Sequence, residues 1–184
     1  MMTNGPGALV LGAEDRVAAV AAIKARLRVA NVDEEPLIAA FAETALGLAE
    51  RFTGQVGIVR SLSETLVASG AWQRLGAGPV RTIGTVTAGG GVLAAGGYAV
   101  DIAGDGCGWV RVAGATVAGT TIEVAYQAGL AERWDTLPPG LREGAAMLAA
   151  HLFDDRTGTQ PVPTAVTALW RPFRMLRLGL GARP

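Results

Sequence analysis

Residues 33–54 read DEEPLIAAFAETALGLAERFTG, and this stretch decides the architecture. Ile38, Phe41, Ala45, Leu48 and Phe52 recur at alternating spacings of three and four, the period of one helix face. Asp33 is placed as the N-cap, with Glu34 and Glu35 in the first turn, where the helix dipole favours negative charge. Gly54 supplies the stop, because the position after a helix commonly takes the left-handed conformation that glycine adopts freely. So regular an apolar seam asks for another helix, from the same chain or from a neighbouring copy.

Upstream, Val17, Val20, Ile23 and Leu27 repeat the helical spacing, with Arg16, Lys24, Arg26 and Arg28 largely on other faces. Downstream the period changes. Residues 121–126 alternate, with Ile122, Val124 and Tyr126 on one face, as a half-buried strand does. Residues 80–86 read as a strand before a turn at Gly89, Gly90 and Gly91, and an earlier strand falls within 58–67. Residues 98–102 and 109–112 form a hairpin around the turn at 104–108. Pro138, Pro139 and Gly140 then launch a helix with Leu141, Ala145, Leu148 and Leu152 as its buried stripe. The expectation is an α+β chain in four parts: a helical part at 1–54, an inserted antiparallel β domain of five or six strands at 55–137, a completing helix at 138–156, and an extended C-terminal arm at 157–184.

Composition narrows the functional classes. The 184 residues are 50% hydrophobic, enough to build a core, and sixteen cations balance sixteen anions. A protein that coats nucleic acid would carry a basic excess. Fifteen of the cations are Arg and only Lys24 is Lys, which reads as a coding bias. The balance is uneven along the chain: residues 1–54 carry a net −2, residues 55–140 a net −1 and residues 141–184 a net +3. One Cys and one His exclude a disulfide framework and a Cys/His zinc cage. The uncharged run at 82–100 is broken by six Gly and three Thr and reads as strands and turns, not a membrane span. The first residues lack a basic region followed by a long apolar run, so no signal peptide is expected and the reading is a soluble cytosolic protein.

No constellation asks for catalysis. Cys107 lies in a glycine-rich turn, but Asp105 and Trp109 occupy the places where a nucleophile elbow needs Gly. His151, Asp154 and Asp155 share a helix face, with no second ligand cluster to complete a metal site. The glycines at 89–91 are followed by no Walker lysine. No catalytic, metal or cofactor site is therefore expected. The segment from Thr164 onward is the most informative: Leu169, Trp170, Phe173, Met175, Leu176 and Leu178 stand among Arg171, Arg174 and Arg177. Apolar groups on that scale imply burial. The chain's own helices, a membrane surface and a partner protein are the alternatives. A protein groove ranks first and the membrane last, since the segment is short and Pro172 interrupts it.

The order of elements resembles a known family. Leu27-Arg28-Val29, Asp33-Glu34 with Leu37-Ile38, and Phe52-Thr53-Gly54 are similar to the N-terminal helices of phage-type head–tail connector (adaptor) proteins, found in tailed phages and gene transfer agents. Trp72, Gly78-Pro79-Val80, the turn at 86–91, Tyr98-Ala99-Val100-Asp101 and the run at 124–129 resemble the β insert of the longer members. Pro138, Leu141, Ala145, Leu148, Ala149, His151 and Arg156 match the proline-started helix. Pro163, Val166, Leu169, Trp170, Pro172, Phe173 and Arg174 match the proline-led tail.

The resemblance implies a structural virion protein, not an enzyme, and no cofactor. It implies a homo-oligomeric ring, usually of twelve copies, beneath the portal protein, which extends the DNA channel and offers a docking surface to the next neck or tail protein. Double-stranded DNA would pass without sequence-specific binding. The protein would be cytoplasmic during assembly and then lie in the particle neck. Leu169, Trp170, Arg171, Phe173, Arg174, Leu176 and Arg177 would grip the portal; Ile38, Phe41, Ala45, Leu48, Phe52, Leu148 and Leu152 would pack subunits together. The competing reading is a small ligand- or carbohydrate-binding β module with Trp72 and Trp109 as its platform, on a helical oligomerisation part.

Overall fold

The computed structural model of the chain describes residues 2–3, 5–112, 119–155 and 157–175. They form two compact units.

The helical unit takes Pro6–Ile58 and Ala131–Met175. It holds α1 (Ala13–Leu27), α2 (Glu35–Thr53), α3 (Pro139–Asp154) and α4 (Thr164–Trp170), the last followed by a 3-10 turn at Arg171–Phe173. α3 is the hub. Leu141, Ala145, Leu148 and Phe153 are buried with Gly144, Ala146, Ala149 and Ala150, so small residues let α1, α2 and α4 all pack against it. Trp134, in a short turn before α3, is fully buried, and its backbone N–H donates to Asp15 Oδ1 at 2.7 Å. Arg26 and Glu143 join α1 to α3 at 2.6 Å.

The phase of α2 differs from the expected seam. Ile38 and Ala45 are buried, but Phe41 and Phe52 are half-buried and Leu48 is 42% exposed. The buried face runs through Ala42, Leu46, Ala49, Glu50 and Thr53 instead. Phe41, Leu48 and Phe52 lie along its edge, because close packing on α1 and α3 favours alanines beside Ile38 and Leu46 at the centre. Val17 likewise leaves the expected stripe of α1 and is 71% exposed, while Ala19, Val20 and Ile23 face inward. Asp33 is not the N-cap. Glu34 occupies that position without a side-chain capping bond, and the Asp33 N–H donates to Asn31 Oδ1 within the preceding turn. Gly54 ends α2 as expected, with φ 73° and its N–H on the Glu50 carbonyl.

The β unit comprises the described residues up to Gly5 and Val59–Leu130. Its strands are β1 (Met2–Thr3), β2 (Arg60–Val67), β3 (Gln73–Arg74), β4 (Val80–Ala88), β5 (Gly91–Val92), β6 (Tyr98–Ile102), β7 (Gly108–Val112) and β8 (Thr121–Ala128). A five-stranded sheet runs β1-β2-β8-β4-β5 and a three-stranded one runs β3-β7-β6, every ladder antiparallel. Central β8 buries Ile122, Val124, Tyr126 and Ala128, the face its alternation marks. Three of the eight strands among the described residues are two residues long, too short to leave a periodic signal.

Candidate functional site

The segment from Thr164 onward is the strongest functional candidate in the sequence, and the structure folds its described part, 164–175, back onto the chain's own helices. Val166 and Trp170 of α4 are buried, Trp170 to 3% exposure. The seat is a notch made by Gly140 and Gly144, one turn apart on α3. A Cβ on Gly144 would lie 2.3 Å from Trp170 Nε1, and one on Gly140 would lie 2.9 Å from both the Leu169 carbonyl oxygen and the Phe173 ring. Only glycine lets the two helices approach so closely. The Trp170 ring tilts against Phe52 with centroids 5.9 Å apart, and the Arg174 guanidinium stands 5.8 Å from the same Phe52 ring. The Met175 N–H donates to the Thr53 carbonyl at 2.8 Å, and Gln55 Nε2 donates to the Phe173 carbonyl.

The residues expected to grip a portal therefore separate. Trp170 is core, Leu169 and Phe173 are half-buried, Arg171 and Arg174 are exposed, and Leu176 and Arg177 lie outside the described residues. Composition marks a segment that must be buried, but not whether its partner is the same chain. The i, i+4 glycine pair at 140 and 144 is the sequence signal for the intramolecular seat. Of the residues expected between subunits, Ile38, Ala45 and Leu148 are buried inside the unit, Phe41, Phe52 and Leu152 are half-buried, and Leu48 is exposed.

Two carboxylates of α2 pin the N-terminal strap, a feature the sequence reading missed. Glu50, 1% exposed, accepts the Gly7 N–H on Oε2 and the Gly57 N–H on Oε1, both at 2.8 Å. Glu43 Oε1 accepts the Leu11 N–H at 3.1 Å and Arg16 Nη2 at 3.0 Å. The place of Glu50 one turn after Leu46 marks it only once the buried face of α2 is known. Between α1 and α2 lies an open groove of about 800 Å³, with Val17, Val20, Ala21, Val32, Pro36, Ala39 and Ala40 among its walls.

Reactive side chains are tied up structurally. The Cys107 thiol donates to Asp105 Oδ2 at 3.2 Å, and its backbone N–H donates to Oδ1 at 2.9 Å. Burial pushes the thiol's pKa up, the wrong direction for a nucleophile, while the bonds from Cys107 lower that of Asp105. The Asp155 carboxylate is committed to the turn after α3. It accepts the Gln160 N–H at 2.6 Å and the Thr157 and Thr159 hydroxyls at 2.8 and 3.3 Å, which hold its carboxyl at about 2. Among the described residues, no group of three or more His, Cys, Asp or Glu side chains is placed to hold a metal ion, and no helix is long and apolar enough to cross a membrane. Trp72 and Trp109 are half-buried, and Arg111 stands 4.8 Å over the Trp72 ring.

No protein-family model and no curated protein matches the chain. Solved structures do. A chain in the neck of an empty gene transfer agent particle, computed with C6 symmetry, is 24% identical with TM-score 0.75 over 100% of both chains. A chain in the virion of a native gene transfer agent particle is 25% identical with TM-score 0.70 over 98% of each. A chain in the neck of the native particle, computed with C12 symmetry, is 23% identical with TM-score 0.72 over 100% of each. The α+β fold is thus one shared with chains of gene transfer agent particles, two of them from the neck.

Proposed function

We propose that this chain is a structural connector of a particle neck: a ring subunit, twelve to a ring, that docks beneath a portal protein, extends the DNA channel and presents its far side to the next neck protein. The observation that carries this reading is the end-to-end likeness to gene transfer agent neck chains, in assemblies of sixfold and twelvefold symmetry. Charge agrees with it. A conduit must release DNA, and each cation on a phosphate adds salt-sensitive affinity, so a net charge of zero suits passage better than a basic surface would. Portal contact falls to Arg171 and Arg174 together with residues 176–184, which add Arg177 and Arg183 and no acid.

The test is the mass of a purified portal before and after mixing with the full chain or with a chain ending at Met175. A cut at Thr159 would not serve, because it removes Trp170 from the core. A mass gain equal to a full ring with the intact chain, lost with the shortened one, is the expected result. Folded full-length protein that adds no mass to an intact portal would overturn portal docking.

A further inference from the structure

We infer that the groove between α1 and α2 is the seat of a neighbouring copy of this chain, entered by the outer face of that copy's α4. The inference rests on the ring reading above and assigns its subunit contact.

The groove is unusual for a solvent face. Val17 and Val32 stand beside it 71% and 66% exposed, over a floor that includes buried Val20 and Ala39. Charge occurs at its margins and is matched there. Arg16 Nη2 meets Glu43 Oε1 at 3.0 Å and Lys24 Nζ meets Glu35 Oε1 at 2.5 Å, so each acid of the wall already holds a cation. A phosphate backbone or an arginine-rich peptide finds no uncompensated counter-charge there, and would leave the exposed valines without apolar cover. The complement is an uncharged helix face.

Rotational symmetry sets the second condition. A closed ring is built from head-to-tail contacts between two different patches of each copy. The helical unit offers such a patch on α4, where Thr164, Ala165, Thr167 and Ala168 are exposed and uncharged, beside half-exposed Val162. Short side chains let helix axes approach to roughly 8 Å, the close end of the packing range. α4 is also held firmly by the glycine notch and the bond from Met175 to Thr53, so little ordering remains to be done on contact. The former tail candidate thus has an inner face that closes its own core and an outer face for the next subunit.

The experiment uses the full chain, alone and with purified portal, followed by mass photometry. Val17→Glu places a carboxylate in the contact, and Val92→Glu places the same charge on exposed β5 as a control. Val17→Glu should remain folded, given its exposure, and lower self-association by about a hundredfold, whereas Val92→Glu should form rings as the unmodified chain does. Independently, Val17→Cys combined with Ala168→Cys in a Cys107→Ala background should oxidise to a ladder of covalent multimers, with neither single variant going beyond a dimer. Rings formed equally by Val17→Glu, or rings of the double-cysteine chain that give no ladder, would overturn the contact while leaving the ring intact. An unmodified chain that forms no ring under either condition would overturn the ring reading, and this contact with it.

Discussion

Trp170 carries two demands in one side chain: a large apolar surface that must leave water, and a backbone approach that only glycine permits. Trp170→Ala should cost about 3–5 kcal/mol, measured as a lowered urea midpoint, because it empties the space between α3 and Phe52. Gly144→Ala should cost about 1–3 kcal/mol by forcing a methyl into the indole ring; an unchanged midpoint would show that the notch has slack. Glu50 is the polar counterpart. Glu50→Ala leaves two backbone N–H groups without this acceptor, at about 1–3 kcal/mol each, and Glu50→Gln should lose less because its amide oxygen still accepts one. Sequence gave warning of these residues unequally. A tryptophan among leucines announces burial, whereas an acid within an alanine-rich stripe announces itself only once the helix phase is known.

At the scale of elements, periodicity located the helices and the long strands, and it failed where small residues decide. α2 was legible as a helix with its Gly54 stop, yet its phase was not. Phe41, Leu48 and Phe52, which dominate the hydrophobic pattern, sit at the margin of a contact built from alanines with Ile38 and Leu46. The two-residue strands were illegible because their pairing comes from neighbours and not from their own sequence. The turn that ends α3 has a pH signature. Asp155 is held at about 2, below its ordinary 3.8, by the Gln160 N–H and the Thr157 and Thr159 hydroxyls. A depressed carboxyl contributes stability that is present above its unfolded value and is lost as pH falls through its folded one. Urea midpoints taken from neutral pH to about pH 2 should therefore fall for the unmodified chain between about pH 4 and pH 2. Asp155→Asn should start lower and fall less over that window; equal slopes would remove Asp155 from the account.

For the whole molecule, the two compact units divide the stability question cleanly. A chain ending at Met175 keeps every described contact of α4, so its thermal midpoint should match that of the full chain. A chain ending at Thr159 loses Val166 and Trp170 from the core, and its midpoint should drop on the order of 10 °C, read by circular dichroism. The likeness to gene transfer agent neck chains was legible only as an ordered set of weak matches across the chain, since each match is a few common residues. Surface roles were less legible, because exposure depends on helix phase and on which apolar segments the chain keeps for itself.

The helical unit is also discontinuous in the chain. Arg26 meets Glu143 and Asp15 meets Trp134 across separations of 117 and 119 residues, with the β unit encoded between them. During translation α1 and α2 therefore leave the ribosome long before their hub exists, and Trp170, the last buried residue of that core among the described residues, follows later still. A product that stops before α3 lacks the hub of this unit, and one that stops before α4 lacks its cover. Folding of the helical unit is in this way tied to synthesis of both α3 and α4.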